Sequence, residues 1–362
     1  MSFPLLIANG QSYINAYGFG SQTIGGLGKT RYHVTTTSDS GAGSFRDAVS
    51  QSNRYITFDV GGTFALGSYV YVQSNITIDG STAPSPGVTF TGYPLMISDT
   101  GSGNPHPGVA VHDVIMTNFR HRSGWRPTGG VRNSDGDCIQ CWSNSYNIVF
   151  DHLSLSDFDD EAIAINTSCY NVTVQNCLIG EGAWTGHKFA VLIAGQSDKV
   201  SFYKNLIYKA EQRSPAVDYD DTSVLIAPSI VADVVNNLVW DWVNYGSGAV
   251  WGGKGNFVNN YYYSSTNNTF NRAIQLETQL VPLAVGYGYL SGNYSKNGSN
   301  MFATTGTTPA SQASAYTVDT YAQLPTLTAS AAAAYCYANA GCRVGEIDTT
   351  DSAILSVISG NL

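Results

Sequence analysis

An all-β solenoid is the fold class this sequence predicts, a parallel β-helix whose short strands stack coil upon coil. Three observations predict it. The 362 residues include 38 Gly and 23 Tyr while only 12% are charged, which favours short strands and tight turns over surface helices that need Lys and Glu on their wet face. A short strand-like pattern recurs along the chain at a rough period. Asparagines recur just after that pattern.

The repeated pattern sets a polar residue before a brief alternating run and closes with another polar residue. It appears as "SNITIDG" (74–80), "HDVIMTN" (112–118), "YNIVFDH" (146–152), "YNVTVQN" (170–176), "DKVSFYKN" (198–205), "ADVVNN" (232–237) and "GNFVNN" (255–260). The interval is 24 residues from Asn147 to Asn171 and 23 from Asn236 to Asn259, with longer excursions elsewhere. Variable excursions on a rough period describe a solenoid whose loops leave from one side. Asn176, Asn205, Asn236 and Asn259 each follow a strand, where an amide side chain can bond its stacked counterpart and a left-handed bend is tolerated. "SAAAAYCYANAG" (330–341) is the strongest helix former, with Gly341 as its stop. A terminal helix there would cover the open end of the solenoid, whose strand edges are otherwise exposed.

The formal net charge of −9 argues against nucleic acid and anionic membrane surfaces as partners, since both need a basic footprint. No run approaches the ~20 apolar residues of a membrane span. The start "MSFPLLIANG" lacks the basic region and long apolar stretch of a secretory leader. A removed leader and export by another route, such as lysis, are both compatible with that start. Cys138 and Cys141 form a C-x-x-C without a second pair at zinc-site spacing, so they read as packed thiols. Cys336 and Cys342 either pack likewise or close a small disulfide loop if the protein works outside the cell.

Residues 150–165, "FDHLSLSDFDDEAIAI", carry Asp151, Asp157, Asp159, Asp160 and Glu161 with no lysine or arginine among them. Gathering carboxylates in an apolar, strand-like stretch costs repulsion unless a cation sits nearby. A hard metal ion is the first candidate.

Longer stretches carry a family resemblance. "NAYGFGSQTIGGLGKTRYHVTTTSDSGAGSFRDAV" (15–49), "ITIDGSTAPSPGVTFTG" (76–92), "GDCIQCWSNSYNIVFDHLSLSDFDDEAIAI" (136–165), "EQRSPAV" (211–217) and "AAAYCYANAGCRVGEIDTTDSAILSVISG" (332–360) together resemble polysaccharide lyases of the pectate lyase type. The resemblance covers nearly the whole chain. It implies one domain over 1–362, a right-handed single-stranded parallel β-helix with a C-terminal capping helix and closing segment at 330–362. It also implies Ca²⁺-dependent β-elimination of polygalacturonate or a related uronic-acid polymer, outside the cell. The chemistry is coherent, because removing a proton beside a uronate carboxylate builds charge that a bridging cation stabilises most in the transition state.

Carried over position by position, Asp137 and Asp160 stand at two calcium carboxylates, and Ala164 stands where a third is usual. Strict alternation puts Glu161 on the buried face with Ile163 and Ile165. A bend at the strand start would return Glu161 to the calcium site; without one, Asp159 or Asp157 is the next donor. Asp151 and His152 match a "DH" element read as support near the site. Arg213 in "QRSPAV" matches the arginine of an R-x-P motif and is the candidate base, with Pro215 fixing the backbone beyond it. An arginine, with its free pKa above ~12, serves only where desolvation and nearby cations favour its neutral form. Without the resemblance, Arg213 reads as paired with Asp218 or Asp220.

On the substrate side, Lys188 lies near a family lysine with its register shifted by about one residue, and His187 is the alternative. Many members of the family carry a second arginine shortly after the proline, whereas Ala216, Val217 and Asp218 follow here. Arg120, Arg122 and Arg126 are expected along the groove, with Trp125 offering a sugar-stacking face. Two other classes fit the residues less well: a β-helix glycoside hydrolase and a non-catalytic carbohydrate-binding solenoid. A virion-borne depolymerase is a variant of the lyase reading.

Overall fold

In a computed structural model of the chain, the residues described are 15–124, 136–183, 187–219, 227–265, 272–280, 283–296, 300–305 and 311–362. Their strands form sheets of eleven, ten and nine members, in which neighbours come from successive coils except for one antiparallel pair, Arg272–Leu280 with Leu283–Val285, in the ten-stranded sheet. One coil runs through strands Tyr146–Asp151, Ser154–Ser156 and Glu161–Ile165, one in each sheet. The next coil lies in parallel on it, with Tyr146 opposite Tyr170, Ser154 opposite Leu178 and Glu161 opposite Phe189. The architecture is the right-handed parallel β-helix expected, and right-handed connections are the rule between parallel strands.

Stacking puts like residues above like. Met116, Phe150, Val174, Phe202, Val234 and Phe257 follow one another up the interior of the eleven-stranded sheet, all fully buried. Each such side chain contributes about 1.5–3 kcal/mol of burial. This continuous column is what the alternating runs encode.

The asparagine expectation divides between adjacent residues. Asn176, Asn236 and Asn259 take the left-handed bend, with φ of 52°, 58° and 53°. The buried amide ladder is formed by Asn205 and by the residue after each later bend. Asn205 Nδ2 donates to Asn237 Oδ1 at 3.1 Å, Asn237 Nδ2 to Asn260 Oδ1 at 2.9 Å, and Asn260 Nδ2 to Asn293 Oδ1 at 3.0 Å. One side chain cannot both point outward from a bend and stack inside, so the "NN" pairs assign one residue to each task. Asn237→Ala strands the Asn205 donors and the Phe202 carbonyl. It is expected to cost about 2–4 kcal/mol, read as a lowered urea midpoint; an unchanged midpoint would remove the ladder from the stabilising features.

Helix α1 (Phe45–Val49) begins at Ser44, whose side chain accepts from the Asp47 N–H. It buries Phe45, Ala48 and Val49 in the main core, packing on the first strands of two sheets. The end of the solenoid that it covers is the N-terminal one.

Helix α2 (Ala329–Asn339) matches the expected helix, and a second helix, α3 (Thr349–Ser359), follows it. Their buried residues, among them Ala333, Cys336, Leu355 and Ile358, pack on Leu178, Leu206, Leu238 and Trp240. These four come from consecutive coils of the nine-stranded sheet, so the helices cover its outer flank and not an open end. Gly341 has a φ of 86°, and a Cβ there would lie 2.8 Å from Ser154 Oγ and from Leu178 Cβ. No side chain fits at that close approach. All six cysteines are buried free thiols; the alternative of a Cys336–Cys342 disulfide is therefore corrected. No helix among the described residues is long and apolar enough to cross a membrane.

The N-terminal segment crosses the outside of the eleven-stranded sheet as a strap. Phe19 N–H donates to Ser201 Oγ, Gly20 N–H to Thr173 Oγ1 and Gly26 N–H to Thr77 Oγ1. Side-chain hydroxyls of the sheet thus satisfy the strap's backbone.

Candidate active site

The acidic residues that converge lie on the ten-stranded sheet. Asp137 precedes strand Ile139–Cys141, while Asp160 and Glu161 open the neighbouring strand Glu161–Ile165. One oxygen of each of the three carboxylates lies within 4.8 Å of the others, and all three residues are buried. Asp137 Oδ1 accepts the Glu161 N–H at 2.8 Å and its Oδ2 accepts Gln140 Nε2 at 2.9 Å. These bonds tie one strand's carboxylate to the next strand's start.

Alternation fails where Glu161 needs it to fail. Ala162 and Ile163 both belong to the hydrophobic core, so strict inward–outward alternation is not kept at the start of this strand. Glu161 then returns to the side of Asp137 and Asp160. Burial above all, and then the Asp137 charge, push the Glu161 carboxyl up to about 7, while Arg213 opposes that rise.

Arg213 Nη1 is ion-paired with Glu161 Oε1. The acidic cluster thus supplies an ion-pair partner that the unaided reading of the sequence did not name; of the two it did name, Asp218 lines the same cavity as Arg213 and Asp220 lies outside the described residues. The guanidinium lies 4.2 Å from the centre of the Phe189 ring, and its side chain stays 26% exposed, enough to reach a ligand. Tyr245 also hydrogen-bonds it from the next coil, and burial pushes that phenol's pKa up. Beside Arg213 opens a cavity of about 710 Å³ whose walls include Leu192, Asp218, Tyr245, Trp251 and Arg272.

His187 Nδ1 lies 2.6 Å from Asp160 Oδ1, and its ring is 4.0 Å from that of Phe189. Lys188 is paired with Glu181. His187 thus comes to the rim of the acidic cluster, while the Lys188 side chain turns to Glu181. The donor set there is all oxygen, suited to a hard cation that accepts six to eight such ligands with outside groups completing the shell.

Two expectations are corrected. Arg120 is buried, and its Nη2 donates to the carbonyls of Val344 and Glu346 at 3.2 and 2.5 Å. Arg122 Nη2 lies 2.8 Å from Asp348 Oδ2 and 2.7 Å from Asp351 Oδ1. Both arginines sit on the nine-stranded sheet and fasten the segment leading into α3; they line no groove. Burial alone would lower the Arg122 pKa, but the Asp351 and Asp348 charges raise it on balance. Trp125 and Arg126 lie outside the described residues. Asp151 and His152 are also displaced from the site, on the eleven-stranded sheet, where Asp151 accepts from Gln175 at 2.8 Å and Asn176 at 2.9 Å beside the N-terminal strap.

Phe189, Tyr245, Trp251 and Arg272 were not singled out from sequence. Tyr245 and Arg272 face each other in adjacent strands, and Phe189 pairs with Gln212. Only the register between coils of unequal length brings them to Arg213.

No protein-family model matches the chain. It is 31% identical over 284 residues to the probable pectate lyase C of Emericella nidulans, covering 78% of this chain and 59% of that protein. For the probable pectate lyase C of Aspergillus oryzae the identity is 32% over 263 residues, covering 71% and 55%. The chain thus spans a little over half the length of the curated relatives it matches. Among solved structures, the cedar pollen allergen jun a 1 aligns with a TM-score of 0.66 at 20% identity, over 92% of this chain and 93% of that one. A pectate lyase from Bacillus sp. N165 in complex with trigalacturonate aligns at 0.65 and 18%, over 91% and 99%. Pectate lyase C from Erwinia chrysanthemi with Ca²⁺ aligns at 0.53 and 15%, over 93% and 99%. These structural likenesses establish the fold.

Proposed function

By sequence and fold this chain belongs to the pectate lyases, and from that premise we propose that it cleaves polygalacturonate, or a closely related polyuronate, by Ca²⁺-dependent β-elimination. The observation that carries the reading is Arg213 standing between a three-carboxylate cluster and an open cavity. Asp137, Asp160 and Glu161 would hold the calcium. When bound, it would neutralise the substrate carboxylate and stabilise the charge that develops on it. Such polymers lie outside cells, and extracellular action follows from that substrate.

The chain's own residues supply the rest. With Glu161 engaged by the cation, Arg213 would lose its ion pair, release a proton to solvent and turn into the groove, where its neutral form takes the proton on the carbon next to the uronate carboxylate. As the C–H pair becomes the new double bond, the bond to the glycosidic oxygen breaks, and that oxygen takes a proton from the guanidinium so formed or from water. Stacking on Phe189 and the bond to Tyr245 limit the guanidinium's freedom, so the base arrives oriented. His187, at the rim, and Lys188, next to it in the chain, would bind substrate oxygens.

Polygalacturonate incubated with the protein should gain ultraviolet absorbance from the unsaturated uronate when Ca²⁺ is present. The gain should stop on adding a chelator. A chelator-insensitive rise in reducing ends without that absorbance would instead indicate hydrolysis and overturn the reading.

A further inference from the structure

Resting on that reading, we infer that Arg272, two coils from Arg213, binds the carboxylate of a second uronate in this cavity, with Trp251 offering a stacking face to the bound oligouronate. Three features of the cavity lead there. The first is the sign of the wall that Arg213 shares: Asp218, a carboxylate, lines the same cavity. That wall offers no clamp for a second sugar acid next to Arg213. The positive charge comes from farther along the sheet.

Register supplies the second feature. Ala216 pairs with Gly248, and Ser214 N–H donates to the Gly246 carbonyl, so Arg213 and Tyr245 occupy equivalent places in successive coils. Tyr245 in turn pairs with Arg272. Strands in a sheet lie ~4.8 Å apart, which sets Arg272 roughly 10 Å along the groove from Arg213. Both line the one cavity.

The third feature is how Arg272 is held. Its Nη1 donates to Gln275 Oε1 at 2.8 Å, and Gln275 Nε2 donates to Glu277 Oε2 at 2.9 Å. The amide stands between guanidinium and carboxylate, so Glu277 orients Arg272 without pairing with it. Among the described residues Arg272 has no ion pair within 4 Å, and its remaining donors match a carboxylate's two oxygens. Trp251 is 43% exposed and shares the cavity, offering the flat apolar face that a sugar ring covers. A cavity that presents both a guanidinium and an open indole selects an acidic sugar over a neutral one.

The test is a titration followed by Trp fluorescence, run without regard to turnover. Trigalacturonate and neutral galactotriose are added to the wild-type protein, Arg272→Ala, Arg272→Lys and Trp251→Phe, with circular dichroism confirming each fold. We expect trigalacturonate to bind the wild type, Arg272→Ala to bind it about tenfold more weakly, and Arg272→Lys to recover part of the loss. Galactotriose should bind weakly and equally to the wild type and Arg272→Ala. On polymer, Arg272→Ala should raise KM with a smaller change in kcat. Equal trigalacturonate affinity in wild type and Arg272→Ala overturns the subsite even if both proteins cleave polymer. Loss of binding in Arg272→Ala supports it even if no protein eliminates, in which case only the lyase reading fails. A wild type that binds no oligouronate overturns the subsite.

Discussion

Arg213→Lys is expected to keep its thermal unfolding transition close to wild type and to lose at least 10³-fold in kcat for β-elimination. The fold should survive because the side chain is partly exposed and its ion pair sits at the edge of the acidic cluster. A lysine retains the positive charge toward Glu161, so cation affinity should change little. What disappears is the planar fork that spans Glu161, Tyr245 and the groove at once. A point charge on a flexible stem satisfies one of these and leaves the reacting proton out of reach. The ordering of the rate constants matters as much as their size. If Arg213 acts only in binding, KM should rise while kcat holds; if it takes the proton, kcat falls and KM stays near wild type. Residual turnover within tenfold of wild type would move the base elsewhere, with His187, 2.6 Å from Asp160, the next group to test.

The parts of this site that were legible in sequence are those carried by adjacent residues. Asp160 and Glu161 read as an acidic pair at a strand start, and the R-x-P element marked Arg213. The bend that brings Glu161 out could be posed but not decided, because alternation and its failure share one local sequence. Arg120 and Arg122 show the opposite limit. Their "FRHRSGWRP" setting reads as a basic loop, yet Arg122 is claimed by Asp348 and Asp351, more than 220 residues away. Polar pairs between a sheet and a distant helix leave no local trace in either segment. Tyr245 and Arg272 stayed hidden for a third reason. They are 32 and 59 residues beyond Arg213, and coils of unequal length turn those intervals into one column only when strand register is known. The asparagines fall between these cases, since the repeat was plain but the division of labour between Asn236 and Asn237 depends on which side chain faces inward.

The acidic cluster makes the second large prediction, and its sign is unusual for a set of buried charges. Asp137→Asn/Asp160→Asn is expected to abolish Ca²⁺-dependent thermal stabilisation while leaving the calcium-free protein as stable as wild type, or more so. Three carboxylates drawn within 4.8 Å repel one another, and Arg213 offsets only part of that charge. Removing two charges while keeping amide oxygens preserves the acceptor for the Glu161 N–H, and an end-for-end turn of the Gln140 amide, which now donates to Asp137 Oδ2, would let it accept from the new amide nitrogen. It also lifts the Asp137 charge that helps hold the Glu161 carboxyl near 7, returning that group toward the ordinary carboxylate range. Wild-type protein at a hundred times the dissociation constant of its cation gains about 2.7 kcal/mol from binding, a clear rise in melting temperature. The double variant should show almost none, and calorimetric titration should give an affinity at least 100-fold weaker, since each lost charged donor weakens a hard-cation site. An equal calcium-induced shift in both proteins would place the metal away from these carboxylates. A calcium-free variant much less stable than wild type would mean instead that hydrogen bonding by Asp137 and Asp160 outweighs their mutual repulsion, making the cluster a structural element first.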